Sequence, residues 1–169
     1  MDFFEVIHRR RSVRKYAPAP VPRAVLEQIV QAGIEAPSGC NEQLRHYVIV
    51  DDPAVVAQML PISGALTGSA AVIVLLVEPK ATPYGEFWVQ DASAAMENML
   101  LAAVALGYEG CWVEGHVRRH EAALRELLGV PENLRIWSLT PIGKAASEAQ
   151  RPAKPPLAER THYNRYKQP

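Results

Sequence analysis

The sequence predicts one compact domain in which helices and strands alternate, and three observations carry that expectation. The chain has 169 residues, enough for one proper core and too few for two ordinary domains. Apolar residues make up 49% and charged residues 21%, close to the globular average, which argues against disordered and fibrous classes. Along the chain, hydrophobic spacing switches repeatedly between the helical period and short apolar runs of strand length. No internal repeat interrupts this alternation.

The elements follow in order. Asp2 to Arg9 predicts a short helix, with Phe3, Phe4, Val6 and Ile7 apolar and Asp2 suited to cap it. Pro18, Pro20 and Pro22 make an extended connector. Val25, Leu26, Ile29, Val30 and Ala32 then recur at helical spacing from about Arg23 to Glu35. Ala36 to Asn41 reads as a loop by its Pro, Ser, Gly and Asn content, and it leads into a strand at His46 to Val50. Asp52-Pro53 opens a helix to about Leu60, and Ala71 to Val77 suits a central strand buried on both faces.

Pro83 to Trp88 brings Tyr84, Phe87 and Trp88 to the entrance of a long helix over Val89 to Leu106. That helix is apolar nearly all round, so a core role alone and a core-plus-interface role both fit it. Gly107 suits its C-terminal end, Gly110 to Val113 predicts a strand, and Glu114-Gly115 its exit turn. Arg119 to Leu128 is amphipathic, and Leu134 to Ile142 supplies a further strand. Beyond Ala145 the periodicity is lost, and the tail to Pro169 reads as an extended arm.

Net charge is zero, so a general affinity for polyanions such as nucleic acid is disfavoured. The positive charge is local instead. His8 to Tyr16 holds five of the eighteen Lys and Arg residues in nine positions. Arg9, Arg10, Arg11 and Arg14 offer planar donor forks suited to a phosphate, with the Ser12 hydroxyl among them. A solvated helix end, its cations meeting terminal carbonyls, is the other reading of the same residues.

His116 and His120 are four apart, but no third metal ligand stands at a recurrent spacing, and Arg118 and Arg119 lie between them. Cys40 and Cys111 form no paired motif and suit a reducing cytoplasm. No signal-like apolar region opens the sequence, and the longest apolar run is too short to span a bilayer. No serine-nucleophile elbow, phosphate-binding glycine-lysine loop or dinucleotide-binding glycine fingerprint occurs, so a nicotinamide cofactor would visit as a substrate.

Taken together, four motifs in order carry a resemblance. They are Arg10-Arg11-Ser12-Val13-Arg14; Ala36-Pro37-Ser38 with Asn41 and Gln43; Gly107 and Gly110 leading through Cys111, Trp112 and Val113 to Glu114-Gly115; and Pro141-Ile142-Gly143 followed by a basic tail. Their order and separations resemble the FMN-dependent nitroreductase family over nearly the whole chain. The sequence departs from the family pattern after Gln43, where Leu44-Arg45 stands in place of Pro-Trp.

The resemblance implies an α+β fold, a central mixed but mainly antiparallel sheet flanked by helices, in a single FMN-binding domain over residues 1–169. It implies a homodimer with flavins at the subunit interface and the arm from 145 packed on the partner. Arg10, Arg11, Ser12 and Arg14 would hold the FMN phosphate, ribityl chain and one ring edge. Pro37, Ser38, Asn41 and Gln43 would serve the flavin of the other subunit, and Glu114 and Gly115 the edge near N5. Lys154, with Arg151, would complete the phosphate site.

Arg14 near the ring's N1 side would favour the reduced flavin. NAD(P)H would deliver hydride to N5 and depart, and a nitroaromatic, quinone or similar acceptor would follow by a ping-pong mechanism. Tyr84, Phe87 and Trp88 are candidates for stacking on the acceptor, against a plain packing role. A flavin store or sensor without turnover, and specialised reactions such as dehalogenation or flavin fragmentation, are the alternatives.

Overall fold

Ala71–Val77 contains no polar side chain, and every one of its residues is buried. This strand, β3, organises the sheet in the computed structural model, which describes residues 1–166. The remaining elements are α1 (Phe3–Arg9), β1 (Tyr16–Ala17), α2 (Arg23–Ile34), β2 (Arg45–Val50), α3 (Pro53–Met59), β4 (Ala81–Thr82), β5 (Gly85–Glu86), α4 (Trp88–Ala105), β6 (Glu109–Gly110), α5 (Gly115–Arg119), α6 (Glu121–Leu128) and β7 (Arg135–Ala145).

The main sheet runs β1-β7-β3-β2, with β6 also paired to β7, and all these pairings are antiparallel. A single parallel bridge joins Ser12 to Gly110, so the sheet is mixed but mainly antiparallel, as expected. Because alternate residues of a strand face opposite ways, β3 feeds two cores. Val72, Val74 and Leu76 pack with α3, Val117 of α5 and Leu124 of α6. Ala71, Ile73, Leu75 and Val77 pack with α2 and α4. Helices on both faces explain why β3 is continuously apolar rather than alternating.

Between Leu75 and Leu76 the register with β7 shifts: Leu75 faces Ser138 and Leu76 faces Ile136. Trp137 is the extra residue, and its ring turns into the α2/α4 core beside Trp88, with centroids 5.0 Å apart. A bulge re-aims one side chain in this way without breaking the strand.

Several local expectations are corrected. The strand expected at Gly110 to Val113 is only the two-residue β6, after which Val113 makes a single bridge to Leu139. Gly115 does not merely leave a turn but begins α5. The amphipathic helix expected from Arg119 begins instead at Glu121, because Arg119 closes α5 and the chain turns at His120, whose Nδ1 lies 2.8 Å from the His116 carbonyl. Both helices bury apolar residues, Val117 and Leu124, in the same core. The β4–β5 hairpin and β1 are too short to show in a hydrophobic period.

One face of α4 is buried through Ala92, Ala95, Met96, Met99 and Ala103, while Gln90, Glu97 and Ala105 are exposed. α1 packs against α4 and leaves Phe3, Phe4 and Ile7 exposed. After Ala145 the described chain is largely exposed, including Leu157, Tyr163 and Tyr166, while the end of the expected arm, residues 167–169, lies outside the described residues. Among the described residues, no helix is long and apolar enough to cross a membrane.

Candidate functional site

The basic segment is held open by what lies on either side of it. α1 ends at Arg9, and residues 10–15 run outside helical structure before β1 joins the sheet edge. Val13 is buried and its N–H donates to the Gly110 carbonyl at 3.0 Å. Tyr16 is also buried, and its hydroxyl donates back to the Val13 carbonyl at 2.6 Å. With Val13 and Tyr16 turned inward, Ser12 and Arg14 are left exposed.

Close backbone approach makes this possible at Gly110. A Cβ there would lie 2.6 Å from Thr140 Oγ1 and 2.8 Å from the Pro141 carbonyl oxygen, so a side chain would push the segment off the sheet. Burial pushes the Tyr16 hydroxyl far above its ordinary value, with neighbouring Cys111 adding to the effect. Burial likewise raises the Cys111 thiol, against the lowering influence of Tyr16 and Arg14. Both groups are protonated anchors, and a thiolate nucleophile at Cys111 is disfavoured.

Along the outer side of the segment runs a cleft of about 580 Å³ lined by Arg10, Arg11, Ser12, Arg14, Arg151 and Lys154. Phe4 and Ile7 of α1, His8, Gln150 and Pro152 complete its wall. Among the described residues, the lining carries five Lys and Arg side chains and no carboxylate. Outside the lining, Arg10 Nε lies 3.4 Å from Glu97 of α4, while Arg11 donates to the His8 and Arg10 carbonyls. Arg151 reaches His8 Nε2, which brings the tail against the start of the chain. The cationic forks, the Ser12 hydroxyl and the apolar α1 side chains suit a ligand with a phosphate and an apolar body, and the volume is in the usual range for small-molecule sites.

Arg14 also lines a second cleft, of about 410 Å³, with Ser63, Gly64, Ala65, Trp112, Val113, Glu114, Gly115 and His116. The two clefts therefore share Arg14; Arg151 and Lys154 line the first, and Glu114 and Gly115 the second. The Ser63-Gly64-Ala65 contribution is absent from the sequence reading. A Ser-Gly turn signal marks it, and here it forms a tight helical turn capped by Ser63 Oγ on the Ala65 N–H.

Neither cleft contains the loop residues Pro37, Ser38, Asn41 and Gln43. The loop is nevertheless firmly built. Asp91 accepts the Gly39 N–H at 2.8 Å, and the Arg45 guanidinium donates to the carbonyls of Ala36 at 2.6 Å and of Pro37 and Asp91 at 3.1 Å. Arg45, where the sequence departs from the family pattern, is thus the clamp of the loop. Ser38 Oγ accepts the Gln43 N–H at 3.1 Å. Cys40, Asn41 and Gln43 all have positive φ, near 51–55°, an unfavourable backbone for residues other than glycine. Such strain is characteristic of functional loops, and Asn41 and Gln43 are presented outward.

The three aromatics at the entrance of α4, Tyr84, Phe87 and its first residue Trp88, also lie outside both clefts. Phe87 packs on Gly39, and Trp88 packs edge-on to Trp137. Tyr84 is 81% exposed at the hairpin tip. His116 Nδ1 lies 3.0 Å from the Ile62 carbonyl, and among the described residues no cluster of His, Cys, Asp and Glu could hold a metal ion.

Comparison with known proteins agrees with this architecture. A sequence model of the nitroreductase family matches residues 7–66 and 58–144. The chain is 38% identical over 152 residues to a protein of Archaeoglobus fulgidus provisionally named NADH dehydrogenase/NAD(P)H nitroreductase, with 87% of each chain covered. It is 26% identical over 179 residues to an NADPH-flavin oxidoreductase of Vibrio harveyi, covering 97% of this chain and 74% of the relative. A solved structure from Bacteroides thetaiotaomicron, bearing the same provisional name as the archaeal protein, superposes with a TM-score of 0.85 at 28% identity, covering 97% of this chain and 98% of that one. With the family pattern matched across most of its length and the fold shared end to end, the chain belongs to the nitroreductase family of oxidoreductases.

Proposed function

We propose that this single-domain chain is an FMN-dependent NAD(P)H oxidoreductase that works as a homodimer in the reducing cytoplasm. The observation that carries the reading is that Arg14 lines both clefts, one cationic and free of carboxylates among the described residues, the other bounded by the Glu114-Gly115 turn. When bound, FMN supplies hydride chemistry at N5, between NAD(P)H and an acceptor such as a nitroaromatic or quinone in ping-pong order.

Arg10, Arg11 and Ser12, with Arg151 and Lys154 from the tail, would hold the phosphate through charge-assisted hydrogen bonds. Arg14 sits where a fixed cation favours negative charge on a bound ring. Glu114 and Gly115, which line the second cleft, would present backbone groups to the ring. Three charge-assisted bonds contribute about 1.5–3 kcal/mol each, short of the roughly 12 kcal/mol of nanomolar binding. Burial of the ring must contribute the rest. A second subunit would bury it, and Pro37, Ser38, Asn41 and Gln43, outside the clefts of their own chain, are available to the other subunit's flavin. Exposed Phe3, Phe4 and Ile7 and the arm's Leu157, Tyr163 and Tyr166 favour the same assembly. Tyr84 is the aromatic most open to stacking on an acceptor, because Phe87 and Trp88 pack within their own chain.

The test is the absorbance spectrum of the purified protein after FMN addition, followed by anaerobic titration with NADH and NADPH and by light scattering. A dimer that retains FMN and bleaches with a nicotinamide donor is expected. Failure to take up FMN overturns the flavin assignment, and a flavin that stays yellow with both donors leaves a storage or sensor protein.

A further inference from the structure

Among the described residues lining the two clefts, Glu114 is the one carboxylate, and its side chain is paired one turn along the chain. It precedes α5 but makes no capping bond to that helix. Instead its Oε1 accepts from Arg118 Nη2 at 2.6 Å, while the Arg118 backbone N–H donates to the Glu114 carbonyl at 3.2 Å. The guanidinium is fixed from a second side, since its Cζ lies 4.3 Å from the centre of the Trp137 ring. Trp137 is 6% exposed and braced edge-on by Trp88. Although about half of the Arg118 side chain is exposed, stacking of its guanidinium on a buried indole restricts it before pairing. The bulge in β7, which turns Trp137 toward α4, thereby reaches the wall of the second cleft.

We propose that Arg118 is a positioning residue of the flavin site: stacked on Trp137, it holds and neutralises the Glu114 carboxylate so that the second cleft can accept the negative charge of a reduced flavin. The inference rests on the proposed FMN reading and concerns the cofactor's redox poise rather than its phosphate. Without Arg118, an unpaired carboxylate would line the same cleft as Arg14 and oppose its effect. A free Glu114 side chain would disfavour the reduced cofactor more than the oxidised one, because reduction adds negative charge to the ring.

The experiment measures the midpoint potential of bound FMN by anaerobic titration against a reference dye, in wild type, Arg118→Met, Glu114→Gln and the double variant. Methionine retains an apolar stem over Trp137 while removing the charge. Arg118→Met is expected to weaken binding of reduced relative to oxidised FMN about tenfold, a fall of roughly 30 mV for a two-electron couple. The double variant is expected to return to the wild-type potential or above it. An unchanged potential in Arg118→Met, or a fall that the double variant leaves in place, overturns the proposal. If Arg118→Met does not fold, Glu114→Gln carries the test: a raised potential supports the proposal and an unchanged or lowered one overturns it. Failure of wild type to bind FMN would instead strike the underlying flavin reading, and is seen before any variant is made.

Discussion

Residues 10–16 and residues 150–154 supply cations to the same cleft, yet the first segment is tied into the sheet and the second is exposed throughout. The first is pinned by Val13 N–H on the Gly110 carbonyl, by the Ser12–Gly110 bridge and by the Tyr16 hydroxyl on Val13. The second has one side-chain hydrogen bond among the described residues, from Arg151 to His8. One wall is built with the core; the other is laid against it. Substitutions under the first wall should therefore cost stability and ligand together, whereas substitutions in the second should cost ligand alone.

The largest effect is expected at Gly110, where the first wall meets the sheet. Gly110→Val drives a side chain into Thr140 and the Pro141 carbonyl, and overpacking of this kind costs about 3 kcal/mol at its upper range. Urea unfolding should show the loss, and FMN titration should show weaker uptake in the fraction that remains folded. Retention of both would break the link between this wall and the core.

Next comes Tyr16→Phe, which leaves the Val13 carbonyl without its buried donor. An unmade buried hydrogen bond costs about 1–3 kcal/mol, measured as a lowered urea midpoint. The basic segment is expected to loosen with it, so FMN affinity should fall in parallel. A stability loss with wild-type FMN affinity would show that the sheet bonds alone hold the segment.

The opposite wall is tested by combining Arg151→Ala with Lys154→Ala. Loss of charge-assisted bonds should weaken FMN binding about tenfold or more, while the urea midpoint stays that of wild type. A destabilised variant would mean that the tail supports the fold, and the contrast between the walls would be lost.

The smallest effect is expected far from both walls. Glu121 is half-buried: burial raises its pKa, but bonds from Arg135, the Ile136 N–H and the charge of Arg125 outweigh it and hold the carboxyl below its ordinary 4.5. A depressed folded value stabilises the protein above pH 4.5, and that contribution is lost as pH falls through the lowered value. With solvent screening it amounts to less than about 1 kcal/mol. Glu121→Gln should flatten the acid limb of the stability profile and leave FMN affinity at neutral pH unchanged. A changed affinity would show coupling between α6 and the cleft.

Much of the fold was legible because it is written locally. Ala71–Val77 is a strand bounded as its apolar run is bounded, and α2, α3 and α4 begin and end within a residue or two of their periodic signals. The five-residue α5 was hidden because a helix of little more than one turn is too short to carry an apolar period of its own. In the candidate site, the density of Arg10, Arg11 and Arg14 marked in the sequence the segment that lines the cationic cleft. Ser63 to Ala65 gave no comparable sign, since a small polar turn looks the same whether or not a cleft lies beside it.

By itself the sequence determined the alternation of elements, the doubly buried central strand, the cationic segment and the family pattern that orders them, since each depends on neighbours close in the chain. Only the tertiary structure decided that the tail returns to His8, that Arg14 joins two clefts, and that a bulge places Trp137 under Arg118 and so beside Glu114. Those relations join residues as many as 143 positions apart. They are fixed by sheet register and loop closure, which no local period encodes.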